Sequence, residues 1–157
     1  MKAIHLVVSA ALAIGMAAPA SAGVDDPEVI IYRFSGVRDD GAGAGAGVAT
    51  VIHCSNFSGA TESMRFVVRD FDGTIKKNSA IPIAHLNTLM AITHVVMAYP
   101  GNFVALATGA VFGGMATIAA TSTNIVCTAN TIDASTASPV GVPLRAIRFN
   151  AAPGSEE

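Results

Sequence analysis

The fold is decided by the stretch from Val48 to Cys54, which reads VATVIHC. Its residues fall into two alternating sets, and Thr50, Ile52 and Cys54 make up one of them. A period of two is typical of a strand with one face in a core, because successive side chains of a strand point to opposite faces. The stretch therefore predicts a half-buried strand that carries Cys54 on the same face as Ile52.

The same alternation recurs in three later stretches, each of which places an apolar set on one face. These sets are Met64, Phe66 and Val68, then Ala116, Ile118 and Ala120, then Ile125, Cys127 and Ala129. In the first of them Arg65 and Arg69 belong to the opposite set. We therefore expect both arginines on the wetter side of a sheet.

Turn residues separate the predicted strands. Asp72-Gly73 lies between two extended segments, where an Asp-Gly pair is a strong hairpin signal. Ile81-Pro82-Ile83 is typical of an edge strand or a strand end, because proline has no N–H for the ladder. Gly113-Gly114 predicts a turn or a bulge. Leu89–Val96 fits either a strand or a short helix, and the threonines around it favour a strand.

These signals predict an all-β fold, an antiparallel β-sandwich of about seven strands in residues 48–150. The preceding segment, 23–47, holds a first strand at Val29–Phe34 and a Gly-Ala run at 41–47. A phosphate-binding loop would need Gly-Lys-Ser/Thr at the start of a helix, and here the run leads into a strand. We interpret the run as a flexible linker.

The two cysteines, Cys54 and Cys127, both belong to inward-facing sets. Outside the cytosol such a pair predicts a disulfide, which closes a loop of 73 residues. Because each cysteine lies on the apolar face of a strand, we expect an inter-sheet disulfide. A zinc site would need four close ligands, and a catalytic thiol would need one cysteine to stay unpaired.

The N-terminal residues predict export. Lys2 precedes an apolar region, and Ala20-Ser21-Ala22 is a small-residue cleavage site after a proline. We predict a signal peptide at 1–22, cut between Ala22 and Gly23, and a secreted or periplasmic protein without a stable membrane span. Residues 151–157 are predicted to be a flexible tail.

Composition limits the kinds of partner. Charged residues make up 13% of the chain, and mean hydropathy is +0.54. Without Lys2 the chain keeps eight Lys and Arg against eleven Asp and Glu, a net charge of −3. Nucleic-acid binding calls for clustered positive charge, so we expect no nucleic-acid partner but a protein or a component of the cell envelope.

The two cysteines, the Asp72-Gly73 hairpin and about seven strands resemble an immunoglobulin-like sandwich in outline. The stretches 52–56 and 124–129 are similar to those of small exported bacterial proteins, and the resemblance covers 48–149. It implies a sandwich architecture alone. Immunoglobulin domains pack Trp on their disulfide and place Tyr two residues before the second Cys. This chain has no Trp and carries Ile125 at that position.

The sequence contains no specific motif for a catalytic site or a metal site. His53, His85 and His94 are too far apart in sequence for a predicted metal site. Asp70-Phe71-Asp72-Gly73 departs from a calcium loop in the position of its glycine and predicts a hairpin turn. Asn56-Phe57-Ser58 matches a glycosylation sequon, which we interpret as chance. The sequence therefore predicts no catalytic, cofactor-binding or metal-binding residue.

Three functions remain open. The first is an exported, non-enzymatic structural or binding module without a cofactor. The second is a small secreted hydrolase with an atypical site, which would place a Ser, His or Asp of perturbed pKa in a pocket. The third is partner capture or self-association through an exposed sheet edge, for which the Thr-rich segment from Ala116 to Asn124 is the candidate.

Overall fold

Ten strands form the fold in this computed structural model, which describes residues 28–99, 101 and 103–149. The described residues contain no helix. The strands are β1 (Val29–Asp39), β2 (Val48–Asn56), β3 (Glu62–Arg69), β4 (Ile75–Ile83), β5 (Thr88–Ile92), β6 (Val104–Ala105), β7 (Val111–Ala120), β8 (Ile125–Asp133), β9 (Val142–Pro143) and β10 (Ala146–Arg148).

The strands make two five-stranded sheets. The first sheet has the order β10-β1-β7-β3-β4, and the second has the order β6-β5-β2-β8-β9. All neighbouring strands are antiparallel except β5 and β6, which are parallel. The predicted all-β sandwich is confirmed. The count is ten strands rather than about seven, because β1 lies before the predicted sandwich and the two-residue strands β6 and β9 are too short to show a period.

The inward-facing sets predicted from alternation form the main core between the sheets. Met64, Phe66 and Val68 are fully buried there, as are Ala116, Ile118, Ala120 and Ile125. Cys127 and Ala129 are also buried in this cluster. Burial of these apolar side chains is the main favourable contribution to stability. Arg65 and Arg69 lie on the opposite face of β3, as predicted.

The disulfide between Cys54 and Cys127 is present, but its predicted inter-sheet position is wrong. The two cysteines are directly opposite each other on β2 and β8, which are neighbours in the second sheet, and their Cα atoms are 4.1 Å apart. Alternation shows which face a cysteine lies on. It does not show whether the strands of the two cysteines are neighbours in one sheet or lie in different sheets. Only that information distinguishes an intra-sheet disulfide from an inter-sheet one.

The first strand is an integral part of the sandwich. β1 extends to Asp39 and lies between β10 and β7, although the sequence placed it in a segment before the sandwich at 48–150. The Gly-Ala run then crosses from the first sheet to the second. It is held by backbone hydrogen bonds from Gly45 to Val95 and from Ala134 to Gly47.

The Thr-rich segment proposed as an exposed edge does not lie at an edge. Its first part, Ala116–Ala120, belongs to β7, which has β1 on one side and β3 on the other. The long edge strand of the described residues is β4, which carries Lys76, Lys77 and Pro82. Lysine and proline are residues that natural sheets use to prevent edge pairing.

A second, smaller core covers the outside of the second sheet. Val51 and Ile92 point away from the main core and pack with Val96, and Tyr99 and Phe103 lie against them. The strand interpretation of Leu89–Val96 holds as far as Ile92, where β5 ends. The chain then folds back over the sheet, so that β2 is buried on both faces.

The predicted signal peptide, with Ala22 and Gly23, lies outside the described residues, and so does the predicted tail at 151–157. Among the described residues, no helix has the length and apolar character that crossing a membrane would require.

Candidate functional site

The outer face of the first sheet carries four arginines, which we call the arginine face: Arg33, Arg65, Arg69 and Arg145. The strand register explains how residues distant in sequence meet there. Arg33 of β1 is opposite Thr117 of β7, and Thr117 is opposite Val67 of β3. Val67 is the midpoint between Arg65 and Arg69. The arginines therefore surround a floor centred on Thr117.

A shallow groove runs across the arginine face. One part has a volume of about 500 Å³, and a second part of about 200 Å³ adjoins it through Arg33 and Met115 and reaches Arg145. The floor is largely apolar. It is formed by Ile30, Val67, Met115, Ala119 and Ile147. Of these, Met115 and Ile147 are exposed to solvent.

One carboxylate of the chain already binds to this face. The Nε atom of Arg65 donates to Oε2 of Glu28 at 2.5 Å, while Nη2 of Arg65 lies 3.5 Å from Oε1. Ser63 donates its hydroxyl to Oε1 of Glu28 at 2.9 Å. The side chain of Glu28 is 7% exposed, against 35% for Arg65. Arg65 thus binds a carboxylate through two nitrogens, the geometry that guanidinium groups favour.

The other arginines of the face point in different directions. Nη1 of Arg69 donates to the carbonyl of Gly73 at 2.9 Å, and the guanidinium of Arg33 lies 4.9 Å from the ring centre of Phe149. Within the part of the chain that the structure describes, no carboxylate forms an ion pair with Arg33, Arg69 or Arg145. Glu28 is the acidic residue among those that line the groove. The groove therefore has an excess of positive charge.

A second polar group, the Asp39 cluster, lies at the end of β1 and consists of Asp39, His94 and Thr108. Asp39 is 1% exposed, and its Oδ2 is 2.9 Å from Nδ1 of His94 and 3.3 Å from the hydroxyl of Thr108. Its Oδ1 accepts the N–H of Gly41 at 2.8 Å. Nε2 of His94 lies 3.0 Å from the carbonyl of Ala46. These contacts attach both ends of the Gly-Ala run to the sandwich.

The order of groups in the Asp39 cluster differs from that of a nucleophilic triad. A triad places histidine between the hydroxyl and the carboxylate, so that the imidazole takes the proton of the hydroxyl. Here the carboxylate of Asp39 lies between Thr108 and His94. The cluster attaches the Gly-Ala run to the sandwich through the contacts of Asp39 and His94, which is a structural role.

The other two histidines belong to neither of these groups. His53 is on the outer face of the second sheet, where its ring meets Tyr99 edge-on at 5.3 Å, and burial lowers the pKa of His53. Nδ1 of His85 accepts the N–H of Gly59 at 3.1 Å. Among the described residues, no three His, Cys, Asp or Glu side chains come close enough to hold a metal ion.

The Asp70–Gly73 segment forms the predicted hairpin turn between β3 and β4. Oδ1 of Asp72 accepts the N–H of Thr74 at 2.9 Å, and this bond holds the pKa of Asp72 below its ordinary value. Oδ1 of Asp70 accepts the N–H groups of Phe71 and Phe112. Both carboxylates therefore stabilise the turn and its surroundings by accepting backbone hydrogen bonds.

Sequence reasoning placed two of the four arginines on an outer face and missed the face as a whole. Arg33 lies on a strand assigned to a preceding segment, and Arg145 lies beside a strand of three residues. The missing information was the strand order, which brings the first and last strands, β1 and β10, to the same side of β7. Comparison of the chain with protein-family models, with curated proteins and with solved structures gave no match.

Proposed function

We propose that this chain is an exported, non-enzymatic module that binds an anionic partner on its arginine face. The observation that carries the proposal is the excess of arginine over acidic side chains in one open groove. Guanidinium groups bind carboxylates and phosphates through paired N–H donors, and they do so most strongly on a partly desolvated surface. The apolar floor adds contact area beside the charges.

Binding is favoured over catalysis by the roles of the acidic side chains. Three carboxyl groups have lowered pKa values, those of Asp40, Asp72 and Asp133. Asp40 and Asp72 accept backbone N–H groups nearby in the chain, and Asp133 accepts first the hydroxyl and then the N–H of Ser135. Asp39 is engaged by the loop and by His94. None of these groups lines the groove at the arginine face, where a ligand has room to bind.

Export is supported by two features. One is the predicted signal peptide at 1–22. The other is the disulfide, which persists in oxidising compartments such as the periplasm and the extracellular medium. We propose a protein or another component of the cell envelope as the partner.

The test compares two double variants that lose the same charge. Arg33→Gln/Arg69→Gln removes two cations from the arginine face, whereas Arg38→Gln/Lys77→Gln removes two cations from elsewhere. The purified chain is applied to immobilised polyphosphate, polyglutamate and a sulfated polysaccharide, and retention is measured as a function of salt concentration.

We expect the unmodified chain and the control variant to be retained on at least one polyanion at low salt, and the arginine-face variant to elute much earlier. Added salt should weaken retention, because exposed charges are screened. Equal retention of both variants, or no retention of the unmodified chain on any of the three, would show that the proposal is wrong.

A further inference from the structure

The three central arginines of the face are positioned for separate anionic groups rather than for one. Arg65 is directed to Glu28 at the start of β1, Arg69 to Gly73 in the turn after β3, and Arg33 to the ring of Phe149. A single phosphate would be bound by guanidinium groups that converge on one point. Divergent guanidinium groups match a ligand whose charges are spread along a chain.

The spacing of these arginines matches that of an extended peptide. Arg65 and Arg69 are four residues apart on one strand, which corresponds to about 13 Å at roughly 3.3 Å per residue. Arg33 lies two strands away, opposite the midpoint of that pair, at a lateral distance of about 10 Å. Side chains on one face of an extended peptide recur every two residues, so its positions i and i+4 are also about 13 Å apart.

The floor of the groove favours a peptide over a sulfated or phosphorylated polymer. Met115 and Ile147 are exposed beside Arg33 and Arg145, and Val67 lies between the arginines of β3. These apolar side chains have matching partners in an extended peptide that carries an apolar residue at i+2, on the same face as acidic residues at i and i+4. A sulfated sugar polymer or polyphosphate presents mainly polar and charged atoms, and these would leave the apolar side chains of the floor without matching contacts.

We propose that the partner is an extended acidic peptide with interspersed apolar residues, and that Glu28 competes with it for Arg65. This inference rests on the proposed anion-binding function and specifies the ligand. Glu28 shows that the face accepts a carboxylate, since Arg65 and Ser63 both donate to it at a site that is nearly closed to solvent. One carboxylate of the incoming peptide replaces that of Glu28 at Arg65. Other carboxylates of the same peptide contact Arg33 or Arg69.

The experiment measures binding of a nine-residue peptide with blocked ends by titration calorimetry at low salt. Glu at positions 1, 5 and 9 and Val at positions 3 and 7 share one face of the extended peptide, and Ser occupies the other positions. We expect binding to the unmodified chain and binding that is weaker by about tenfold in Arg33→Gln/Arg69→Gln. The same peptide with Gln in place of Glu should not bind. Polyphosphate and a sulfated polysaccharide of equal charge are titrated in parallel.

The variant Glu28→Gln tests the competition. It keeps the shape of the side chain and removes its charge, so we expect the acidic peptide to bind about two to five times more tightly while the unfolding temperature falls slightly. The matched control is Glu62→Gln on β3, whose carboxylate accepts the hydroxyl of Thr121 and does not line the groove. Its peptide affinity should not change.

The outcomes separate this inference from the proposed function. If polyphosphate or the polysaccharide binds through the arginine face and the acidic peptide does not, the peptide inference is wrong and the anion-binding function stands. If no polyanion binds, both are wrong. Unchanged peptide affinity in Glu28→Gln would overturn the competition at Arg65.

Discussion

Asn56 illustrates how one buried side chain can join several loops. It is fully buried, and its Nδ2 donates to the carbonyls of Ala60 at 2.7 Å and Ile83 at 2.9 Å. Its Oδ1 accepts the N–H of Ser58 at 2.8 Å. The sequon at this position has a structural explanation, because both hydrogens of the amide are already engaged.

Replacement of Asn56 by alanine should therefore be costly. The variant loses three hydrogen bonds, one of them to the carbonyl of the buried Ile83, whereas the carbonyl of the exposed Ala60 keeps the hydroxyl of Ser58. We therefore expect the free energy of unfolding to fall by about 2–3 kcal/mol. Chemical denaturation measures this loss. The exposed Asn124, replaced by alanine in the same way, should cost much less. Equal losses in the two variants would contradict the role given to Asn56.

Gly114 is required by the close approach of two strands. A Cβ atom at this position would lie 2.0 Å from the carbonyl oxygen of Arg69, which is a backbone atom and cannot move aside cheaply. We expect Gly114→Ala to lower the free energy of unfolding by about 2 kcal/mol or more. Gly43→Ala is the control, because a Cβ atom there meets nothing within 4 Å. A thermal unfolding temperature that falls equally in both variants would argue against steric exclusion at Gly114.

At the scale of elements, β2 shows what alternation alone cannot predict. The strand is buried on both faces, since Ile52 and Cys54 face the main core while Ala49 and Val51 face the smaller one. The sequence predicted the first face correctly. The second face is buried because the chain after β5 folds back over the sheet. No local pattern in the sequence of β2 indicates that this segment covers it.

The Gly-Ala run is an element whose stability should depend on pH. Hydrogen bonds from the N–H groups of Ala42 and then Val48 hold the pKa of Asp40 below its ordinary value of 3.8. A carboxyl group with a lowered folded-state pKa contributes stability above its unfolded value, and the contribution is lost as pH falls through the folded value. The loop should therefore loosen below pH of about 4.

Hydrogen exchange at the amides of Ala42 and Val48 tests this expectation. Asp40→Asn keeps the oxygen that accepts the N–H of Ala42 and replaces the one that accepts the N–H of Val48 by an NH2 group. It should therefore raise exchange at Val48 near neutral pH and should reduce the loss of thermal stability on acidification. Asp72→Asn, in the hairpin turn, is the control that alters acid dependence without affecting exchange in the Gly-Ala run. Protection of the Val48 amide that survives in Asp40→Asn would mean that the carboxylate does not hold the run.

At the scale of the whole molecule, the local sequence pattern predicted which face each side chain occupies, whereas strand order determined which side chains meet on the arginine face. The periodicity of β3, β7 and β8 was enough for the core and for the outward position of Arg65 and Arg69. Periodicity did not predict which strands are neighbours, because pairing joins strands that are distant in sequence. For example, β1 pairs with both β7 and β10. For the same reason the disulfide was found but assigned between sheets, and the arginine face was recognised only in part.

The disulfide allows a prediction about the molecule as a whole. It closes a loop of 73 residues that contains β3 to β7, so it restricts the unfolded chain strongly. The chain-entropy model gives a contribution of about 4 kcal/mol for such a loop. Because β2 and β8 are also paired along their length by backbone hydrogen bonds, the native sheets do not depend on the bond for their arrangement.

We therefore expect Cys54→Ala/Cys127→Ala to fold into the same sandwich with a free energy of unfolding lower by up to about 4 kcal/mol. Circular dichroism should show an unchanged strand spectrum, and urea unfolding should show an earlier midpoint. A reducing agent should lower the midpoint of the unmodified chain toward that of the variant and leave the variant unaffected. A variant that unfolds at the same midpoint as the oxidised chain would mean that the 73-residue loop does not restrict the unfolded state.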